Sequence, residues 1–197
     1  MGYLIKKDWV VESIPHLKAA QVIKSTHYAK GCSNTSSVCF GLFKRKSLKI
    51  YGVSMWMNAP CGVSKKYGDG SMKDVLTLSR FVIIDNMPTN SASFLLGQSI
   101  KKITSLNKYS CLVTYADMGE GHKGTIYRAT NWKYDGTTMG KPKFLDSKGK
   151  LVSLFATKYR KKQEMNNYSE QPRTKKHIFF YPLALKAKNH QRQLKLF

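Results

Sequence analysis

Most of the chemistry this chain can offer sits between Thr114 and Gly136, in TYADMGEGHKGTIYRATNWKYDG, where Asp117, Glu120, His122, Tyr127, Trp132 and Tyr134 are set among four glycines. Asp117 follows the apolar run CLVTYA and so should end a buried strand. Open sheets place ligand-handling groups there, although an Asp capping the next element has the same sequence. Tyr127 lies ten residues on, in a short helix-compatible stretch. Its phenol can give a proton to a leaving group or hold a substrate oxygen, and it can equally be a core tyrosine. Arg80 interrupts the apolar run VLTLSRFVII. A guanidinium inside such a strand needs a carboxylate or phosphate, and Asp117 is the nearest candidate. The pair His27-Tyr28 closes an expected helix, either as a hydrogen-bonded surface feature or as proton-handling groups. Asn90, Ser91 and Ser93 open another helix. The first amides of a helix lack intrahelical partners and sit at the positive end of its dipole, so an anion such as a pyrophosphate could rest there with side-chain help, or one of these residues merely caps the helix. Glu120 and His122 read as an exposed turn without an assigned role.

The elements that must position these groups follow from pattern. DWVVESIPHLKAAQVIKSTHY opens with a possible cap at Asp8; Pro15 interrupts it, which gives a short turn and then a helix ending just before His27. VCFGLFKRKSLKIYGVSMW carries β-branched and aromatic residues on both sides of KRKS and predicts a hairpin. Residues 58–74, with Pro60 and several glycines, read as a long loop. DVLTLSRFVIID is apolar enough for a central buried strand. Phe94, Leu95, Ile100 and Ile103 then recur at helical spacing, and YSCLVTYAD is a second buried strand. GTIYRATNW predicts a short helix and KYDGTTM the start of a strand, and KKHIFFYPLAL a strand returning to the sheet. The fold class expected is α+β (α/β-like): a mixed sheet with helices on its faces.

Composition bounds the partners. The chain has 34 Lys+Arg against 11 Asp+Glu, a net charge of +23, which no fold requires and which a polyanion would relieve. DNA or RNA is the natural candidate, since each neutralised phosphate releases counterions. An anionic membrane is the weaker one, because the sequence offers no basic amphipathic helix. The charge thickens after residue 140: the last 57 residues hold 15 Lys+Arg and 3 Asp+Glu, against 19 and 8 before them. Residues 1–140 are therefore expected to form the core, and residues 141–197 a basic segment that completes the sheet and contacts nucleic acid within a single domain. Trp132 and Tyr134 offer stacking surfaces beside that charge. Cys32, Cys39, Cys61 and Cys111 show no C-x-x-C spacing. They read as reduced, mostly buried thiols, in keeping with a cytoplasmic protein, with no metal site expected.

HY at 27–28, LSRFVIID at 78–85, PTNSAS at 88–93 and YAD…GHKGTIYRATNWKYDG at 115–136 together resemble the bacteriophage Mom family of small DNA-modification proteins with an acyltransferase (GNAT-like) fold. The resemblance implies a phage-encoded enzyme of the host cytoplasm that places a carbamoylmethyl group on the exocyclic amine of adenine in double-stranded DNA and so blocks restriction. It implies a reaction centre of His27, Tyr28, Arg80, Asp117 and Tyr127, with Asp117 and Tyr127 sharing one cleft. Asn90, Ser91 and Ser93 stand where related enzymes hold the pyrophosphate of an acyl-CoA such as acetyl-CoA. The turn here lacks the glycines usual in acetyltransferases, so another small-molecule donor is the alternative. Two rival functions remain open: acetyl transfer to an amine of a hypermodified base or polyamine, and non-catalytic DNA binding.

Overall fold

The computed structural model describes residues 2–27, 32, 35–69, 73–84, 86–140, 142–149, 151–152 and 168–184. Tyr28 and the basic end of the chain from residue 185 lie outside the described residues. Contacts divide the chain into two compact units, the first of Met1–Thr114, Thr125–Tyr134 and Phe179–Phe197, the second of Tyr115–Gly124 and Asp135–Ile178.

In the first unit a 3-10 turn at Lys6–Asp8 leads into β1 (Trp9–Ser13), α1 (His16–Thr26), the hairpin of β2 (Ser36–Lys44) and β3 (Ile50–Asn58), α2 (Cys61–Tyr67), β4 (Val75–Ile83) and α3 (Ser91–Ser105). There follow β5 (Cys111–Asp117), α4 (Thr125–Ala129), β6 (Lys133–Met139), β7 (Lys143–Leu145), β8 (Leu151–Val152), β9 (Ser169–Gln171) and β10 (Lys175–Pro182). A seven-stranded sheet has the order β1-β2-β3-β4-β5-β10-β6, and every one of its strands contributes residues to the first unit. The strands β1 to β4 pair antiparallel, whereas β4 and β5 run parallel, Val75 opposite Cys111, so a crossover must join them and α3 supplies it. The sheet is therefore mixed and flanked by helices, the α+β class expected.

The alternation of β3 explains where the helices sit. Val53 and Met55 join Ala19 and Ile23 of α1 and Cys39 of β2 in one buried cluster. Ser54, between them in sequence, is also fully buried and hydrogen-bonds Ser99 of α3 at 2.9 Å. Successive strand residues point to opposite faces, so α1 and α3 cover opposite sides of the sheet. The inner stripe of α3 is Leu95, Leu96, Ser99, Ile100 and Ile103, the three-and-four spacing of one helix face. Each of its large apolar side chains stabilises the packing by roughly 1.5–3 kcal/mol.

Two stretches differ from the sequence reading. The short turn expected after Asp8 is instead strand β1, held at the edge of the sheet by register with β2, while the helix that follows Pro15 ends at Thr26, just before His27, as read from sequence. The expected long loop at 58–74 contains α2, a seven-residue helix started after Pro60. Proline is preorganised for a helix start, a signal that the glycine and polar residues around it obscured.

In the second unit β7 pairs with β8 and with β9 in a small three-stranded sheet that the apolar pattern did not announce. Among the described residues no helix is long and apolar enough to cross a membrane.

Candidate functional site

Asp117 ends β5 and belongs to the second unit. It is 4% exposed, and both of its carboxylate oxygens have partners. One oxygen accepts from the Thr174 hydroxyl at 2.7 Å and from the Gly119 amide at 3.1 Å; the other lies 3.1 Å from Lys176 Nζ. Of the two alternatives read from sequence, the capping one is seen: Asp117 caps the 3-10 turn Met118–Glu120, and it also holds the Lys176 cation. Burial alone would raise its pKa, but the Thr174 and Lys176 hydrogen bonds, the Lys176 charge and the Gly119 amide outweigh it and hold the carboxyl below its ordinary value. Asp117 is therefore an ionised acceptor at neutral pH, suited to orienting an N–H or O–H rather than to removing a proton. The glycines here have a mechanical cause. Thr174 lies so close to Gly119 that a Cβ would collide with it, and Gly121 closes the turn at φ 71°, where a side chain would be strained. Glu120 and His122 are exposed on this turn, the His122 amide donating to the Asp117 carbonyl.

Arg80 corrects an expectation. β4 is buried from Val75 to Leu78 but only half-buried from Ser79 onward, so the guanidinium is not enclosed in the core. Its Nη1 donates to the Ser79 carbonyl at 2.6 Å, and the cation on Asp117 is Lys176, a residue the sequence reading did not single out.

Tyr127, in the first unit, is 9% exposed and enclosed by rings. Trp132 meets it edge-on with centroids 5.6 Å apart, and Phe179 tilts against it at 5.2 Å. Trp132 continues the cluster by stacking on Trp56 at 6.4 Å and meeting Tyr181 at 5.8 Å. Such contacts add to the area they bury and fix the short helix α4 to β10. Trp132 is 5% exposed, which removes it as a stacking platform for a base; Tyr134, 44% exposed with Arg128 over its ring at 5.1 Å, keeps that capacity. The indole Nε1 of Trp132 is buried and has no hydrogen-bond partner among the described residues.

At the start of α3, Asn90 has φ 71° and makes no side-chain cap bond. The Ser91 hydroxyl donates to the Pro88 carbonyl at 2.6 Å and the Ser93 hydroxyl to the Asn90 carbonyl at 3.1 Å. Both hydroxyl protons are thus committed to the turn itself, and the first turn contains no acidic residue to offset the helix dipole. His27 is half-buried at the end of α1, its amide donating to the Ile23 carbonyl at 2.9 Å, while its neighbour Tyr28 lies outside the described residues. Cys39 and Cys111 are buried, and burial pushes both thiols up to about 11, so they are protonated packing groups; Cys61 is exposed.

A mixed seven-stranded sheet with helices on its faces is the architecture of the GNAT acetyltransferases, and solved members superpose on this chain. The ribosomal-protein-S18-alanine N-acetyltransferase of Escherichia coli matches with a TM-score of 0.55 at 12% identity, covering 92% of this chain and 97% of its own. Arabidopsis thaliana NAA60 in complex with acetyl-CoA matches with 0.55 at 8% identity, over 88% and 98%. A Bacillus subtilis acetyltransferase in complex with CoA matches with 0.52 at 8% identity, over 89% and 99%. At these identities the likeness defines the fold alone. The family follows from sequence: the model of the Mom protein family matches residues 8–196, and the chain belongs to that family. The methylcarbamoylase Mom of Escherichia phage Mu is 28% identical over 134 residues, a match that spans 66% of this chain and 55% of the phage Mu protein.

Proposed function

We propose that this Mom family protein is a DNA-modifying transferase that places a carbamoylmethyl group on the exocyclic N6 amine of adenine in double-stranded DNA, protecting it from restriction. The observation that carries the reading is family membership across nearly the whole chain on an acyltransferase-type fold. The name of the phage Mu relative, a methylcarbamoylase, supports the group transferred. The charge of +23 supports the polyanionic substrate.

In the step proposed, N6 forms a bond to the donor's carbon, the bond from that carbon to the leaving group breaks with its electron pair, and the proton lost from N6 goes to solvent. The amine lone pair is delocalised into the ring, so positioning must supply much of the acceleration. Asp117, held ionised, accepts a hydrogen bond from the amine and orients it. Tyr127 donates to the departing group, and His27, Tyr28 and Arg80 complete the set that the family pattern implies. A base within a duplex is out of reach, which requires flipping, with Tyr134 as an exposed ring for stacking.

The group donor is a small molecule, and an acyl-CoA fits the start of α3 in one respect: the Ser91 amide and hydroxyl and the Ser93 hydroxyl donate to turn carbonyls, and the other first-turn amides beside Asn90, Ser91 and Ser93, at a helix start without an acidic residue, would hold its pyrophosphate. A CoA thioester supplies an activated carbonyl carbon and a thiolate leaving group. That chemistry yields an amide, which is the acetyltransferase reading, and the CoA complexes among proteins of this fold favour keeping it as the second one.

The test is expression in bacteria followed by digestion of a resident plasmid to nucleosides and mass spectrometry. A carbamoylmethyl adenosine is expected. An acetylated amine would favour the second reading, and unchanged nucleosides with folded protein would favour plain DNA binding. Asp117→Asn and Tyr127→Phe should each lower modification at least about 100-fold with DNA affinity kept within a few-fold. Normal modification by both folded variants would remove these roles.

A further inference from the structure

The tip of the β2–β3 hairpin carries a cationic surface that the reaction chemistry leaves unused. Lys44, Arg45, Lys46 and Lys49 lie within FKRKSLKI without an acidic residue, and all four are exposed. The tip is built rather than frayed. Ser47 N donates to the Lys44 carbonyl at 3.0 Å, Lys46 takes φ 63°, and Lys49 N donates to the Ser47 hydroxyl at 3.2 Å. Arg45 ties this turn to the 3-10 turn before β1: its amide donates to the Asp8 carbonyl and its Nε to the Lys7 carbonyl, both at 2.7 Å. Exposed Lys6 and Lys7 are thereby brought to the same end of the sheet, where Asp8 is the one carboxylate in either segment. At the centre stands Leu48, 98% exposed. It overhangs a cleft lined by Ile14, Val22, Phe43 and Ile50, yet its own side chain is left in water beside the lysines.

We infer that this hairpin tip is a duplex-DNA contact, its lysines neutralising phosphates across a groove while Leu48 enters the minor groove as an apolar wedge. A two-stranded ribbon is narrow enough to approach a groove, and leucine is among the side chains that pry base steps apart in bound duplexes. A membrane surface would ask for an apolar face. The tip offers one fully exposed apolar side chain next to four exposed cations, which matches a polyanion with stacked bases beneath its phosphates. Unstacking a step at a bound site also lowers the cost of extruding a base. The inference rests on DNA being the substrate, and it locates a contact outside the residues assigned to the reaction.

The experiment is fluorescence anisotropy of a labelled duplex of about 20 base pairs with the full chain over a salt series. The variants are Lys44→Ala/Lys46→Ala/Lys49→Ala, Leu48→Ser, and a control, Lys24→Ala/Lys65→Ala/Lys101→Ala, which removes the same charge from exposed helical positions. The hairpin triple variant should lower the slope of log K against log salt by about 2–3 and weaken binding at least about tenfold near 0.1 M salt. The control should lose less than half as much. Leu48→Ser should weaken binding several-fold with the slope unchanged. Equal losses in the triple variant and its control, or parental affinity in Leu48→Ser, would overturn the inference, as would loss of binding to phosphatidylserine vesicles with duplex affinity intact. Failure here with adenine still modified leaves the proposed function standing. Hairpin-dependent binding without modified nucleosides would instead sink the proposed function and keep the contact.

Discussion

Asp117 shows how a side chain's surroundings narrow its chemistry. A general base at neutral pH needs a carboxylate whose pKa is raised toward 7, and here Thr174, Lys176 and the Gly119 amide move it the other way. Because its pKa in the folded protein lies below the ordinary 3.8, its contribution to stability is complete above that value and is lost as pH falls through the folded value. Asp117→Asn should therefore cost about 1–3 kcal/mol at pH 7 by leaving Lys176 without its anion, a figure held down because Lys176 is 29% exposed. In urea unfolding the gap between parent and variant should close as pH drops below about 4, and a gap that stayed constant to pH 2 would show that the carboxylate's charge is not what stabilises the turn. The sequence made Asp117 visible because it ends an apolar run. It could not reveal Lys176 or Thr174: Thr174 is 57 residues away, in the link just before β10, a strand whose place in the sheet no local pattern specifies.

Among the elements, those with a strong period were legible and those fixed by tertiary pairing were not. The runs that became β4, β5 and β10, and the three-and-four spacing of α3, declare themselves because each buries an apolar face. β1 and α2 are short, and pairing decides them. The sequence was equally silent on the polar seam between β3 and α3. Trp56 Nε1 donates to Ser54 Oγ at 3.2 Å, and Ser99 Oγ donates to the Leu95 carbonyl at 2.8 Å, so the 2.9 Å contact between the two hydroxyls has Ser54 as donor. Both serines and Trp56 are fully buried, and the chain of bonds runs in one direction from indole to helix carbonyl. Ser54→Ala leaves a buried indole N–H without an acceptor and should cost about 1–3 kcal/mol. Ser99→Ala orphans the Ser54 hydroxyl at similar cost. The double variant should be less destabilised than the two losses added, by about 1 kcal/mol, because the serines share one bond. Strict additivity in denaturant midpoints would mean that the seam is not continuous.

For the whole molecule, charge sets opposite responses to salt in the free and bound states. With 34 Lys+Arg against 11 Asp+Glu the folded chain repels itself, and compaction brings those charges closer than the unfolded chain holds them. Ionic screening shortens the reach of that repulsion from about 30 Å at 0.01 M salt to about 3 Å at 1 M. Free protein should therefore unfold at higher temperature as salt rises through this range. A duplex adds stability only while it is bound, by an amount set by its concentration relative to Kd, and Kd itself weakens steeply with salt as released counterions return. With excess duplex present, the unfolding temperature should be highest at low salt and fall toward the free curve, so that the two lines converge near 1 M. Parallel lines would mean that the duplex either binds folded and unfolded chains alike or engages through contacts that salt does not screen, and the excess of basic residues would then need a cause other than phosphate.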